Sequence, residues 1–424
     1  MARPRQHLYC IWRTCLCGAS AVLALAAMLV LTIVAGPSAQ AQSKHPWKYQ
    51  YRVLYAFKGG QYGPDGANPY ASVVRDAAGN LYGNTLFGGE SGLGTVFKLA
   101  PTGKETVLHS FAGSPDDGEN PQLAMILDKA GNIFGTTFKG GYYGGCGFYG
   151  SCGMVFKLDR TGAETVLHNF SEGADGGLPA GDLVWGAGGN FYGTTEYGGL
   201  VAYGTVFKFD RAGSETVLYN FTGGFDGAVP GDIIRDAQGN IYGTAFYGGV
   251  FGEGTVFKLS PSGEFSVLRS FEGQKTLDGS LPVGKLFRDR AGSIYGTTLA
   301  GGSGSCNGGL GGGCGTVFKV DRTGRETVVH NFHGLDGEFP YGGITGDAAG
   351  NLYGTTAYGG SHNEGVVFKI DQWGKETVLH NFAGGSDGAG PNAGLLLGEA
   401  DNLYGTTTGG GPYGEGTVFE LSSN

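Results

Sequence analysis

Apolar residues along this chain come in short bursts, such as Thr95-Val96-Phe97-Lys98-Leu99 and Ile241-Tyr242-Gly243-Thr244. Glycine or a polar cluster such as Asp236-Ala237-Gln238-Gly239-Asn240 closes each burst. Runs this short, rich in Val, Ile, Tyr and Phe and bounded by turn residues, predict strands. One stretch shows how they follow one another. An apolar segment, Ile233-Ile234-Arg235, precedes the Asp236–Asn240 turn, in which Gly239 is placed for the left-handed conformation that ends a type I turn with a bulge. A second strand, Ile241–Thr244, leads through a glycine-rich loop to a third, Thr255–Leu259. A short turn, Asp159-Arg160-Thr161-Gly162 in another copy, then gives a fourth strand such as Glu164–Leu167.

The same order recurs seven times. The aromatic of the Gly-Asn-Leu-Tyr-Gly phrase falls at Tyr82, Phe134, Tyr192, Tyr242, Tyr295, Tyr353 and Tyr404, spaced by 50 to 58 residues. A Gly-Thr-Val-Phe-Lys-Leu phrase follows each one. A Val-Leu-His-Asn-Phe phrase ends at Phe57, Phe111, Phe170, Phe221, Phe271, Phe332 and Phe382, each followed by Asp-Gly-x-x-Pro. Four strands in about 50 residues is the arithmetic of a β-propeller blade. The predicted fold is therefore all-β, a seven-bladed propeller with four antiparallel strands per blade.

The two ends of the repeat array are complementary. A lone fourth strand, Arg52–Phe57, opens it, and strands one to three of the last unit close it at Leu421. Pairing them would seal the ring and leave no free edge. A charge exchange fits this closure. Six third strands carry Lys after the Phe, the last carries Glu420, and the opening strand offers Arg52 opposite it.

The phrases Gly-Asn-Leu-Tyr-Gly-Thr-Thr, Gly-Thr-Val-Phe-Lys-Leu and Glu-Thr-Val-Leu-His-Asn-Phe resemble those of the GloVer tandem-repeat family of exported bacterial proteins. The Asp-x-x-Gly-Asn-x-Tyr turn is also similar to blades of NHL-type propellers. The resemblance implies an exported repeat protein and brings no catalytic residues with it.

Composition agrees with this. Glycine accounts for 86 of 424 residues, too many for helices, because an interior helical Gly costs about 1 kcal/mol relative to Ala. Residues 1–41 read as a signal peptide: Arg3, Arg5 and Arg13, an apolar run from Ala19 to Val34, then Ala39-Gln40-Ala41 as the cleavage site. The alternative is an uncleaved anchor. A short lead, 42–50, then precedes the propeller at 51–424. Cleavage takes the net charge from −9 to −12, which argues against a nucleic-acid partner. It also leaves four cysteines. Cys146 with Cys152 and Cys306 with Cys314 flank the two longest loops and are expected as local disulfides, not metal ligands. The expected location is periplasmic, cell-surface or extracellular, with no membrane span in the mature chain and a monomeric state.

With this strand order, the loop between strands two and three shares one face with the Asp-Gly-x-x-Pro connections between blades. Tyr197, Tyr247 and Tyr358 lie in those loops, as does Phe87, and offer aromatic faces to sugars or peptides. Seven residues before each turn glycine or its equivalent, one inner-strand slot holds Ser72, Ala124, Asp182, Asp232, Lys285, Gly343 and Gly394 in turn. Asp182, Asp232 and Lys285 stand out there as charges among small residues, and Glu196 is placed to join them. Two close carboxylates can raise one pKa or hold a cation such as calcium, although the sequence itself demands no cofactor. The histidines His109, His168, His330 and His380 recur in the outermost strand and read as surface structure.

The first functional reading is a non-enzymatic binding or scaffold module that meets a glycan or protein at the loop-rich face. The second is a propeller enzyme, of glycoside or lactone hydrolase or lyase type, using carboxylates at the channel mouth.

Overall fold

In every blade one glycine of the second strand faces one phenylalanine of the third. Gly83 pairs with Phe97, Gly243 with Phe257, and Gly405 with Phe419, in an antiparallel register that repeats without slippage. A side chain at that glycine would intrude on the ring: a Cβ would stand 2.5 Å from the Phe Cζ in each of these three blades. The glycine thus makes the space the aromatic fills, and all seven rings of this set are fully buried.

The computed structural model describes residues 49–60, 63–142, 146–273, 276–306 and 312–423. The expected export segment, its cleavage site and Cys10, Cys15 and Cys17 lie outside the described residues. Seven antiparallel sheets form the ring. Blade 4 shows the full pattern, running outward through Ala228–Arg235, Ile241–Tyr247, Thr255–Leu259 and Phe265–Ser270. Inner strands elsewhere shrink to as little as Val74–Arg75. Blade 7 takes Leu396–Leu397, Leu403–Thr407 and Thr417–Ser423 from the end of the chain and Tyr49–Ala56 from its beginning. Arg52 falls opposite Glu420 and Nη2 meets Oε2 at 2.7 Å, which bears out the charge exchange. The closing strand begins at Tyr49, two residues before the expected boundary, because Tyr49 and Tyr51 both pack against the blade 7 core.

Neighbouring blades meet through aromatic pairs. The Phe that ends each outer strand packs on the third-strand Phe of the next blade, from Phe57 on Phe97 to Phe382 on Phe419, with centroids 5.1 to 5.4 Å apart. Such pairs add about 0.5–1.5 kcal/mol each beyond the area they bury. The Pro of each Asp-Gly-x-x-Pro then lies against a glycine of the preceding blade, as Pro121 does on Gly94 and Pro69 on Gly416. The residue before that Pro is left-handed in all seven copies, including Val229 and Phe339, and in each copy its N–H donates to a carbonyl in the loop of the preceding blade. That bond holds a conformation that a branched side chain disfavours.

Candidate functional site

Strand order puts the loops between strands two and three on the same face as the connections between blades, and backbone bridges such as Ala67 to Phe87 and Glu338 to Tyr358 join the two sets. Three groups of side chains gather on or below this face.

The first lines the channel. The Asp182 carboxylate accepts the Ala124 N–H at 2.6 Å, and Asp232 accepts the Asp182 N–H at 2.7 Å. Each aspartate therefore reaches one blade back along the ring and links blades 2, 3 and 4. Other blades close the same slot differently: Ser72 Oγ donates to the Gly394 carbonyl at 2.9 Å, and the Lys285 backbone bridges directly to Gly343. The two aspartates keep some contact with channel solvent but are otherwise enclosed by protein. Burial pushes both carboxyls up, Asp232 to about 8 with the Asp182 charge adding to the effect, while Lys285 opposes the rise in both. The pair therefore does not carry two full negative charges at neutral pH.

The second group is Glu196 with its aromatic neighbours. Burial pushes the Glu196 carboxyl up to about 7, and burial, with the Glu196 charge adding to it, raises the Tyr149 and Tyr247 phenols. Burial, and then Tyr247, push the Tyr197 phenol up, and the Lys139 ammonium lies 5.3 Å from the Tyr149 ring centre. Tyr358 belongs elsewhere on the face. It is 44% exposed and stands with Tyr341 and Tyr70. The seven predicted residues therefore divide into a charged triplet in the channel, an acid–aromatic cluster at blades 2 to 4, and Tyr358 at blade 6.

Large hydrophobic side chains left in solvent concentrate on the same face. Of the fourteen exposed among the described residues, only Val267 and Trp373 lie off it. Leu200, Val201 and Tyr203 come from the blade 3 loop, Phe225 from the next connection, and Val250 and Phe251 from the blade 4 loop. The disulfides Cys146–Cys152 and Cys306–Cys314 both form within enlarged loops here, with Cα atoms 5.3 and 5.2 Å apart.

The third group corrects an expectation. The outer-strand histidines are not surface residues: they are half-buried at the seams between blades, each facing the Asp of the Asp-Gly that follows. His168 Nε2 lies 3.1 Å from Asp175, His330 3.1 Å from Asp336 and His380 3.2 Å from Asp387, with His109 beside Asp117. In the units without His, Tyr55, Tyr219 and Arg269 donate to Asp65, Asp226 and Asp278 in the same way. The outer strand of the next blade adds a glutamate at five seams, Glu105, Glu164, Glu215, Glu326 and Glu376, each pushed up to about 7 by burial. The available signal was the joint recurrence of three phrases: whichever residue replaced His could still donate to a carboxylate.

Comparison with known proteins agrees with this architecture. A family model described as the Gloeobacter/Verrucomicrobia repeat matches residues 43–235, 147–309 and 304–424. No curated protein sequence matches the chain. Among solved structures, virginiamycin B lyase from Staphylococcus aureus is similar at 12% identity with a TM-score of 0.58, covering 89% of this chain and 100% of that one. A streptogramin B lyase gives 12% identity and a TM-score of 0.57, covering 89% and 98%. The extracellular domain of a protein assigned as a one-component system from B. thetaiotaomicron gives 13% and 0.54, covering 88% of this chain and 42% of that one. At such identities the likeness is one of fold. Among the described residues no helix is long and apolar enough to cross a membrane.

Proposed function

Since the chain belongs to the Gloeobacter/Verrucomicrobia repeat family and folds as a closed seven-bladed propeller, we propose that it is an exported binding module whose loop face docks a protein partner. The observation that carries this reading is the clustering of exposed hydrophobics on one face, with Leu200, Phe225 and Val250 each at least 60% exposed on adjoining loops of blades 3 and 4. A soluble chain rarely leaves so much apolar side chain together unless something covers it. Leu200, Val201 and Val250 stand among the aromatics there, and such aliphatic groups suit a protein partner, since sugars are gripped chiefly by aromatic faces and polar groups. The two disulfides fit an oxidising compartment, and rigid loops lower the entropy lost on binding.

The test compares the full chain with a Leu200→Asp, Phe225→Asp, Val250→Asp variant, both immobilised against an envelope fraction and a glycan array. A protein retained by the wild type and weakened at least tenfold by the variant supports the reading. Equal retention by both proteins overturns it, as does a glycan ligand that depends on Tyr197 and Tyr247 and not on Leu200, Phe225 and Val250.

One observation favours an enzyme as the second reading: Asp232 and Glu196 are carboxyls that titrate near neutrality, as a general acid must. Against it, one oxygen of each of Asp182 and Asp232 is already engaged by a backbone amide, which gives both a task within the fold. Turnover of a chromogenic glycoside or lactone that is lost in Asp232→Asn would establish the second reading over the first.

A further inference from the structure

We propose that two of the blade seams, His109 with Asp117 and Glu164, and His168 with Asp175 and Glu215, each bind a divalent transition-metal cation of the zinc class. In the first, His109 Nε2 lies 3.3 Å from Asp117 Oδ2 and 3.8 Å from Glu164 Oε2. In the second, the corresponding distances from His168 are 3.1 and 3.6 Å. Zinc bonds of 2.0–2.2 Å place tetrahedral ligands about 3.4 Å apart, so a cation fits among these atoms with small side-chain adjustments. The donors are one imidazole nitrogen and two carboxylates, a set suited to zinc or its neighbours, with further positions left for water. All six side chains keep only 11–24% of their surface exposed.

Charge supplies the second argument. Glu164 Oε1 and Glu215 Oε1 are buried beside an aspartate and have no hydrogen-bond partner, as is true of the matching oxygen at all five glutamate seams. Among the described residues, only at these two do an imidazole and a second carboxylate converge on the glutamate closely enough to share a cation. A cation beside an enclosed glutamate oxygen would supply the partner it lacks. Three of the other five seams are built differently, while Tyr55–Asp65–Glu105 and His330–Asp336–Glu376 also pair two carboxyls without the compact three-donor geometry. Where Asp278 and Glu326 meet, Arg269 stands in the histidine's place and brings its own positive charge. Where Tyr219 faces Asp226, the glutamate is absent and Phe265 stacks on the tyrosine at 3.9 Å. Where His380 faces Asp387, Tyr51 replaces the glutamate and stacks on the imidazole at 3.9 Å. Only the first two His seams bring all three donor atoms within 4.8 Å of one another among the described residues. A proton is the competing occupant, as the raised Glu164 carboxyl shows.

The full chain, stripped with a chelator and titrated calorimetrically with Zn2+ alone at pH 7.5, should take up two equivalents. His109→Arg and His168→Arg, which copy the Arg269 seam, should each remove one equivalent, and the double variant should lose both while keeping the wild-type circular dichroism spectrum. Glu164→Gln with Glu215→Gln provides the same test should the arginine variants fail to fold, with a loss of affinity of at least tenfold expected. Co2+ should give visible bands in the wild type that vanish in the variants. No uptake by the wild type overturns the proposal. Uptake that survives in both pairs of variants, as binding at the exposed His333 would, also overturns it.

Discussion

Gly243→Ala tests the cross-strand pair on which every blade is built. The added Cβ would stand 2.5 Å from Phe257 Cζ and 2.8 Å from both Phe257 Cε1 and Ile233 Cγ2. Carbon atoms rest at about 3.5–4.0 Å, so the ring must retreat by roughly 1 Å. It has nowhere to go: Phe257 is fully buried, with Ile233 inside it and Phe221 across the seam at 5.2 Å. Overpacking of this kind costs about 1–3 kcal/mol. Urea unfolding followed by near-ultraviolet circular dichroism should show the midpoint lowered accordingly. Phe257→Leu alone should cost about 1–2 kcal/mol through lost packing. Combined with Gly243→Ala it should cost less than the sum, by about 1 kcal/mol or more, because leucine vacates the space the methyl needs. Strict additivity, or a Gly243→Ala midpoint equal to that of the wild type, would refute the steric account.

Three further outcomes follow from the seams, the loops and the channel. Glu105, Glu164, Glu215, Glu326 and Glu376 have folded-state pKa values raised to about 7, so the folded protein binds their protons more tightly than the unfolded chain does. Their contribution is complete below the ordinary glutamate value and is lost as pH rises through 7. With chelator present, the melting temperature should therefore be higher at pH 5.5 than at pH 8.5, and Glu105→Gln, Glu326→Gln and Glu376→Gln together should flatten the profile. Asp117, Asp175 and Asp336 are shifted downward, and their contribution disappears only in stronger acid. Replacing Cys146 and Cys152 with serine should cost about 2 kcal/mol or less, because the loop closed spans only 6 residues; calorimetric melting checks this. Asp232→Asn retains an oxygen for the Asp182 N–H and should fold normally, while the carboxyl titration near pH 8 should disappear from an NMR titration.

Most of the fold was legible because it is written seven times. Gly83 and Phe97 are uninformative singly, but their recurrence at fixed separation defines strands, register and blade count together. Arg52 and Glu420 were legible because each departs from its repeat in the compensating direction. The seam triads were harder to see, because their members come from three phrases, and the glutamate belongs to the blade after the histidine's. The channel was legible only as a slot. That Asp182 and Asp232 turn back to grip the preceding blade depends on side-chain direction, which a period cannot specify. The apolar loop face was legible only in part: Phe87 and Tyr358 were picked out as loop aromatics, whereas Leu200, Phe225 and Val250 occupy positions the repeat leaves free to vary.

The closing strand also sets a timetable. Arg52 and Glu420 are 368 positions apart, so a ribosome must finish nearly the whole propeller before the first strand can meet its partner. Bringing those ends together through unstructured chain would cost about 5 kcal/mol in closure entropy alone. Blades 1 to 6 each complete themselves from contiguous sequence, and docking them in order delivers the ends to each other at far smaller cost. Until then Phe419 and Leu421 present a bare sheet edge, and an identical strand from a second nascent chain would fit it equally well. Assembly thus becomes a race between self-closure and exchange, and crowded chains should yield strand-swapped dimers that dilute ones do not.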